Sequence, residues 1–340
     1  MESLQNEEQR HILMGFFKTG PGEYGEGDEF LGLKVPQTRE VVKNAWKDFP
    51  LNEVPELLMS KWHEVRLCGL LILVAKFEKL ATKRLENDEA AIRGRDEILT
   101  MYLKYAEQAN NWDIVDLSVH KILGHWLLLP TNLGDKDYKL MVLDELAQSD
   151  NLWKQRMSIV CTWKTSQMGD PSWCLRYAEI HLYHPHDLMH KAVGWMLREM
   201  GKRVSMDLLR DFLRQHAHEM PRTMLRYAIE KMPEQERKEW MTVPQDFTPA
   251  KKSKVNRFAG IPVSNFVDMI LKGDDEAMYY LLHDRLKHHL NERYKAYESY
   301  LYDDYEDVID DFSSIFARMV VILISRCSVS KRRKLSRRGY

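Results

Sequence analysis

Long apolar runs are scarce in this chain. The longest late one, "MVVILI" at Met319 to Ile324, is far shorter than a bilayer crossing requires. No membrane partner is therefore expected. The N-terminus, "MESLQNEEQR", is charged and polar and offers no secretory signal. The four cysteines, Cys68, Cys161, Cys174 and Cys327, share no metal or redox spacing, which suits a reducing cytoplasm, the expected location. Phosphate-binding glycine motifs and nucleophile elbows are missing. "TGPGEYGEGDEF" is glycine-rich but follows no strand, so it reads as a loop. An excess of basic charge is missing too. Residues 251 to 340 hold 17 Lys and Arg against 13 Asp and Glu, leaving 33 basic and 38 acidic residues before them. Bulk attraction to nucleic acid is thereby disfavoured, and a nucleic-acid role needs basic residues gathered on one face.

Helices dominate from about Leu4 to Trp240, where apolar residues recur at spacings of three and four. "WHEVRLCGLLILVAKFEKL" (Trp62 to Leu80) is so dense in apolar residues that it predicts a helix buried on several sides. Further helices are predicted over 88–108, 111–123, 135–147, 152–166, 171–181, 187–200, 205–215 and 222–231. Pro, Gly or Asp break the pattern at "LPTNLGDKD", "MGDPSW", "YHPHD" and "MPRT". Many short helices joined by short turns predict an all-α fold: an α-solenoid of stacked helix pairs whose concave face binds. Around Val243 the character changes. "VPQDFTPAKKSK" reads as a linker, giving a first domain over 1–242, a linker over 243–260, a short helical C-terminal appendage over 261–312 and a basic disordered tail over 313–340.

The stretch "NNWDIVDLSVHKILG" (residues 110 to 124) holds the first constellation. Asn110 or Asn111 can cap the helix, and Asp113 suits its first turn, where the macrodipole favours a carboxylate. Asp116 lies too deep for either task. Trp112 and Asp116, four apart, share a helical face, and His120 continues that stripe. Two readings stand: a core tryptophan with a carboxylate paired to a buried arginine, or a functional acid. In "NLWKQRMSIVCTW", Arg156 sits among apolar residues as either a partner for Asp116 or a phosphate clamp. "HKAVGWMLREMGKR" places Lys191, Trp195 and Arg198 on one face, and Gly194 permits close approach of another backbone. A packed helix with snorkelling Lys and Arg is the plainer account of that face. The histidines of "HLYHPHDLMH" (His181, His184, His186, His190) have no accompanying cysteine or helical HExxH, so no metal is expected.

These pieces together resemble one family, the bacterial HEAT-like-repeat alkylpurine DNA glycosylases of the AlkD type. The resemblance begins at "FLGLKVP" (Phe30 to Pro36) and runs through "NNWDIVDLSVHKILG", "SDNLWKQRMSIV" and "HKAVGWMLREMGK". It ends at "LRQHAHEMPRTMLRYAIEKMP", and so spans roughly the first 240 residues. It implies that Trp112 and Trp195 flank the deoxyribose of a damaged nucleotide, that Asp116 is the catalytic aspartate and that Arg156 holds the DNA backbone. Lys191 and Arg198 join the expected DNA-binding set. One departure is visible: many members carry a paired aromatic where this chain has Asn111, which is expected to alter the rim of the site. The implied activity is hydrolysis of the N-glycosidic bond of cationic N3- and N7-alkylpurines in double-stranded DNA. The implied route leaves an abasic site without flipping the base, needs no cofactor and uses a monomer. A helical-repeat scaffold that binds DNA or protein without chemistry is the alternative. Farther on, "MILKGDDEAMYYLLHDRLKHHL" followed by "YEDVIDDF" is similar to the opening helices of small extracytoplasmic-function sigma-like proteins. A truncated or frame-shifted fusion and an unrelated helical appendage both account for that segment.

Overall fold

The computed structural model describes residues 1–249, together with the paired two-residue strands Arg257–Phe258 and Ile261–Pro262. Most of the expected linker, appendage and tail therefore lies outside the described residues. The chain divides into two units, Met1–Lys252 and Ser253–Tyr340. The first is helical throughout, an α-solenoid of HEAT-like repeats. Its helices run α1 (Glu7–Phe16), α2 (Val35–Ala45), α3 (Val54–Leu58), α4 (His63–Leu80), α5 (Glu89–Lys104), α6 (Trp112–Ser118), α7 (Leu123–Trp126), α8 (Lys136–Ala147), α9 (Leu152–Val160), α10 (Thr162–Gln167), α11 (Ser172–Ile180), α12 (Asp187–Arg203), α13 (Met206–His216), α14 (Arg222–Ile229) and α15 (Glu234–Thr242). No helix among the described residues is long and apolar enough to cross a membrane.

Local chemistry sets these boundaries. Asn6, Asp88, Asp135, Asn151 and Ser205 each cap the helix that follows, accepting from free backbone N–H groups of its first turn. α4 is buried around nearly its whole circumference, with Leu67, Leu70, Ile72, Leu73 and Phe77 almost fully enclosed. That is why its sequence is apolar at nearly every step rather than on one stripe. α12 and α14 pack closely at Gly194, where a Cβ would meet the Met224 carbonyl oxygen at 2.3 Å. The expected close backbone approach is thus real, and only glycine permits it.

Two predicted helices are split. The predicted 152–166 helix is interrupted at Cys161, between α9 and α10. α6 ends at Ser118, five residues before the predicted end. There the Ser118 hydroxyl donates back to the Ile114 carbonyl at 2.7 Å and lies 3.0 Å from the Tyr102 hydroxyl. Such back-bonding competes with helix propagation. His120, two residues past the end of α6, packs its ring edge-on against Trp163 at 5.0 Å. Part of the expected linker also packs on the first unit. The Asp246 N–H donates to the His218 carbonyl, the Gln245 amide to the Met220 carbonyl, and the Phe247 ring meets His190.

Candidate active site

α6 is only seven residues long, yet it is anchored at every exit. Asn111 caps it, accepting from the Trp112 N–H at 2.9 Å, and is itself fully buried. It therefore lies beneath the site rather than on its rim. Ile114, Val115 and Val119 enter the core, which leaves Trp112, Asp116 and Leu117 on the other side. Asp113 and Asp116, a turn apart, then project toward two different cations.

Asp116 meets Arg156 of α9 in a two-pronged ion pair. Arg156 Nε donates to Oδ1 at 2.8 Å and Nη2 to Oδ2 at 2.7 Å. A third donation, from Nη1, reaches the Leu188 carbonyl in the first turn of α12 at 2.6 Å. The guanidinium thus ties α6, α9 and α12 together, and its planar fork suits the task. The Arg156 side chain is only 6% exposed, whereas Asp116 keeps 16%. Of the two roles the sequence left open for Arg156, partner to Asp116 is the one it occupies here. Burial pushes the Asp116 carboxyl above the usual aspartate value; Arg156 opposes this and the nearby Asp113 adds to it.

Asp116 and Trp112 both line a cavity of about 450 Å³. Its walls are apolar and aromatic: Leu13, Phe16, Phe17, Phe30, Leu33, Val35, Pro36, Leu67 and Leu117. Lys34, His63, Glu64 and Asp113 complete the lining. Phe16 and Phe17 at the end of α1 pack against the Trp112 ring, with centroids 5.8 and 5.4 Å away. Phe16 itself remains well exposed at 59%.

A second charged cluster lies beside this cavity, and spacing gave no signal for it. His63, the first residue of α4, sits between two carboxylates. Its Nδ1 is 2.7 Å from Asp28 Oδ2 and its Nε2 is 3.0 Å from Asp113 Oδ2. Asp28 in turn pairs with Arg66, which also donates to the Asn110 side chain at 3.1 Å and to the Ser60 and Lys61 carbonyls. Burial alone would push the His63 imidazole down, but Asp113 and Asp28 together raise it to about 9. His63 is therefore an imidazolium near neutrality. Asp113 does more than complement the helix dipole; its other oxygen, Oδ1, has no hydrogen-bond partner.

Glu64, next along α4, fixes the "FLGLK" segment. Its carboxylate accepts from the Leu31, Gly32 and Leu33 N–H groups at 2.8, 2.9 and 2.9 Å. Gly32 has φ +85, and a Cβ there would fall 2.0 Å from the Asn6 carbonyl oxygen. The motif is thus an anion-binding turn that pins α1 and the start of α2 beside the cavity.

The remaining expected site residues lie on α12. Trp195 is half-buried on the core and is not among the residues lining the cavity. Lys191 pairs with Asp187 at 2.8 Å, and Arg198 pairs with Glu230 and Glu199. α12 is nevertheless joined to the site through Leu188 and Arg156. The histidines before α12 serve the fold. His181 Nε2 lies 2.8 Å from Ser158 Oγ, and His184 Nε2 lies 2.9 Å from Gln155 Oε1. Burial pushes these two down, to about 3 and about 4. Among the described residues no group of three or more His, Cys, Asp or Glu is placed to hold a metal ion.

Chemically, the arrangement offers a carboxylate held in place by a buried guanidinium, next to an indole face and an apolar recess. Such a site favours positive charge that develops close to Asp116.

Residues 1–232 match the model of a family described as DNA alkylation repair enzyme. Among curated proteins none matches. A solved structure titled "Predicted DNA alkylation repair enzyme from Enterococcus faecalis" superposes with a TM-score of 0.50 at 14% identity. The match covers 68% of this chain and 97% of that one. At that identity the likeness speaks for the fold.

Proposed function

Because the chain belongs to the DNA alkylation repair enzyme family, we propose that it is a DNA glycosylase acting on cationic N3- and N7-alkylpurines in duplex DNA. The reaction hydrolyses the N-glycosidic bond and leaves an abasic site. A purine alkylated at N3 or N7 is positively charged and departs neutral, so no general acid is required. As the bond breaks, positive charge moves onto the sugar. Asp116 stabilises that oxocarbenium and positions water, and the Trp112 face adds cation–π attraction; Trp195, which lies outside the shared cavity, is assigned the second face by the family resemblance alone. The sugar is approached with the base still stacked, and the protein works as a monomer without a cofactor.

The observation that carries this reading is the partly exposed Asp116 carboxylate, fixed by Arg156 and sharing a cavity wall with Trp112. A plain structural ion pair has no need of an aromatic recess beside its acid. Arg156 acts here as the support of Asp116. Lys191, whose partner Asp187 lies near the surface, and Arg198 can exchange their carboxylates for DNA phosphates.

The test is release of 7-methylguanine and 3-methyladenine from methylated duplex DNA by the full chain. Release of both, with abasic sites left behind and neutral hypoxanthine untouched, supports the proposal. Binding to that DNA without base release points instead to a non-catalytic scaffold.

A further inference from the structure

Two aromatic rings sandwich His63. Phe30 stacks on it with centroids 4.4 Å apart and planes 22° from parallel, and Phe17 lies at 5.1 Å on a tilt of 32°. Phe17 in turn touches Trp112 at 5.4 Å. In the ring plane His63 spans Asp28, from the loop before α2, and Asp113, in the first turn of α6. This one side chain therefore reaches both halves of the proposed site. It meets the acid-bearing helix through Asp113 and the indole through Phe17. We propose that His63 is a positioning residue: its imidazolium, clamped between Asp28 and Asp113 and stacked between Phe30 and Phe17, fixes α6 and the Trp112 ring in their working geometry. For the reaction it serves, the inference rests on the glycosylase reading.

The surrounding charges fit this role. On α4, Arg66 neutralises Asp28 and Glu64 is consumed by backbone N–H groups. On α6, Asp113 and Asp116 are one turn apart, and Asp116 is balanced by Arg156. Lys34 also lines the cavity. Without the imidazolium, Asp113 would be a buried carboxylate with neither oxygen paired to a cation, since its Oδ1 already has no partner. A neutral imidazole keeps only one N–H donor and so cannot hold both Asp28 and Asp113, which weakens the tie on the first turn of α6. Deprotonation of His63 is thus expected to loosen Trp112 and Asp116 together. The raised value of about 9 places that event well above neutrality.

The experiment uses the full chain labelled with 5-fluorotryptophan, with the Trp112 resonance assigned by its loss in Trp112→Phe. In the wild type that resonance is expected to shift with pH, with a midpoint near 9. In His63→Gln it is expected to start displaced and not to titrate there. In single-turnover base release, His63→Gln should lower the rate at saturating protein by about tenfold or more while DNA affinity changes little, as for a misplaced reacting group. A merely structural histidine would lower the melting temperature and leave both signals of the folded protein unmoved. A Trp112 resonance that stays constant between pH 7 and 10.5 in the wild type overturns the inference, and this arm does not depend on the variant folding. A wild type that releases no alkylpurine sinks the glycosylase reading instead, and the fluorine titration then judges His63 alone.

Discussion

Replacing Asp116 by asparagine removes one unit of charge and keeps the shape of the side chain. A bare carboxylate about 4 Å from a sugar cation, at an effective dielectric near 20, stabilises it by roughly 4 kcal/mol. Here the carboxylate is not bare. Arg156 grips both oxygens at 2.7 and 2.8 Å, which sets the opposing charge on the far side of the acid. With that charge about 8 Å from the sugar, the opposing contribution is roughly 2 kcal/mol. The net field is then worth roughly 2 kcal/mol, or about 30-fold in rate. With Arg156 left in place the asparagine removes the acid's own contribution of roughly 4 kcal/mol, about a thousandfold, and only the net of roughly 2 kcal/mol is lost if the unpaired Arg156 swings away toward a DNA phosphate. The expected loss in Asp116→Asn therefore lies between these limits. Stability also falls, because Arg156 loses a charged partner in a mostly buried pair, a change that costs up to about 3–5 kcal/mol. The assay is single-turnover release of 7-methylguanine, run well below a separately measured melting temperature, with binding to undamaged DNA as control. A folded variant that releases base at the wild-type rate refutes the assigned role.

Other outcomes follow from the same geometry. Burial holds the Asp116 carboxyl above the usual aspartate value, so its charged form is lost as pH falls through that raised value. The acid limb of base release is thus expected above about pH 4, where an ordinary aspartate titrates, and a rate that keeps its neutral value down to that pH contradicts the premise. Glu64→Gln weakens the three N–H bonds that hold Leu31, Gly32 and Leu33; a loss of about 2–3 kcal/mol in chemical denaturation is expected, with earlier proteolysis near Gly32. Gly194→Ala forces α12 away from the Met224 carbonyl. It should lower stability by about 1–3 kcal/mol, which a thermal melt reads directly.

Much of the fold was legible because its signals are local. The predicted starts at 88, 152 and 205 hold to within one residue because capping acts within one turn, and the dense apolar run of α4 announces burial without reference to any partner. The split of the predicted 111–123 helix was not legible in the same way. It depends on Ser118 meeting Tyr102, sixteen residues earlier, which no period reveals. The site divides along the same line. Trp112 and Asp116 stand out by spacing, and pairing with Asp116 was one of two roles open to Arg156. The Asp28–His63–Asp113 cluster is assembled from three separate segments, and each member has a dull local explanation: a loop acid, a helix-start histidine, a dipole-complementing aspartate. Tertiary contact alone gives them a common purpose. Lys191 and Arg198 sit between the two cases: their shared face reads as a packed helix with snorkelling side chains, while the acids that pair with them, Asp187 and Glu230, do not stand out from that spacing.

The central claim is that the Asp116 carboxylate recognises positive charge on a deoxyribose. The most direct measurement compares binding of two duplexes, one carrying a cationic pyrrolidine in place of the sugar and the other a neutral tetrahydrofuran. The wild type is predicted to prefer the cation by about 30-fold, matching roughly 2 kcal/mol of net field, and Asp116→Asn to bind the cation no better than the neutral duplex. Equal affinity of the wild type for the two duplexes would contradict the account.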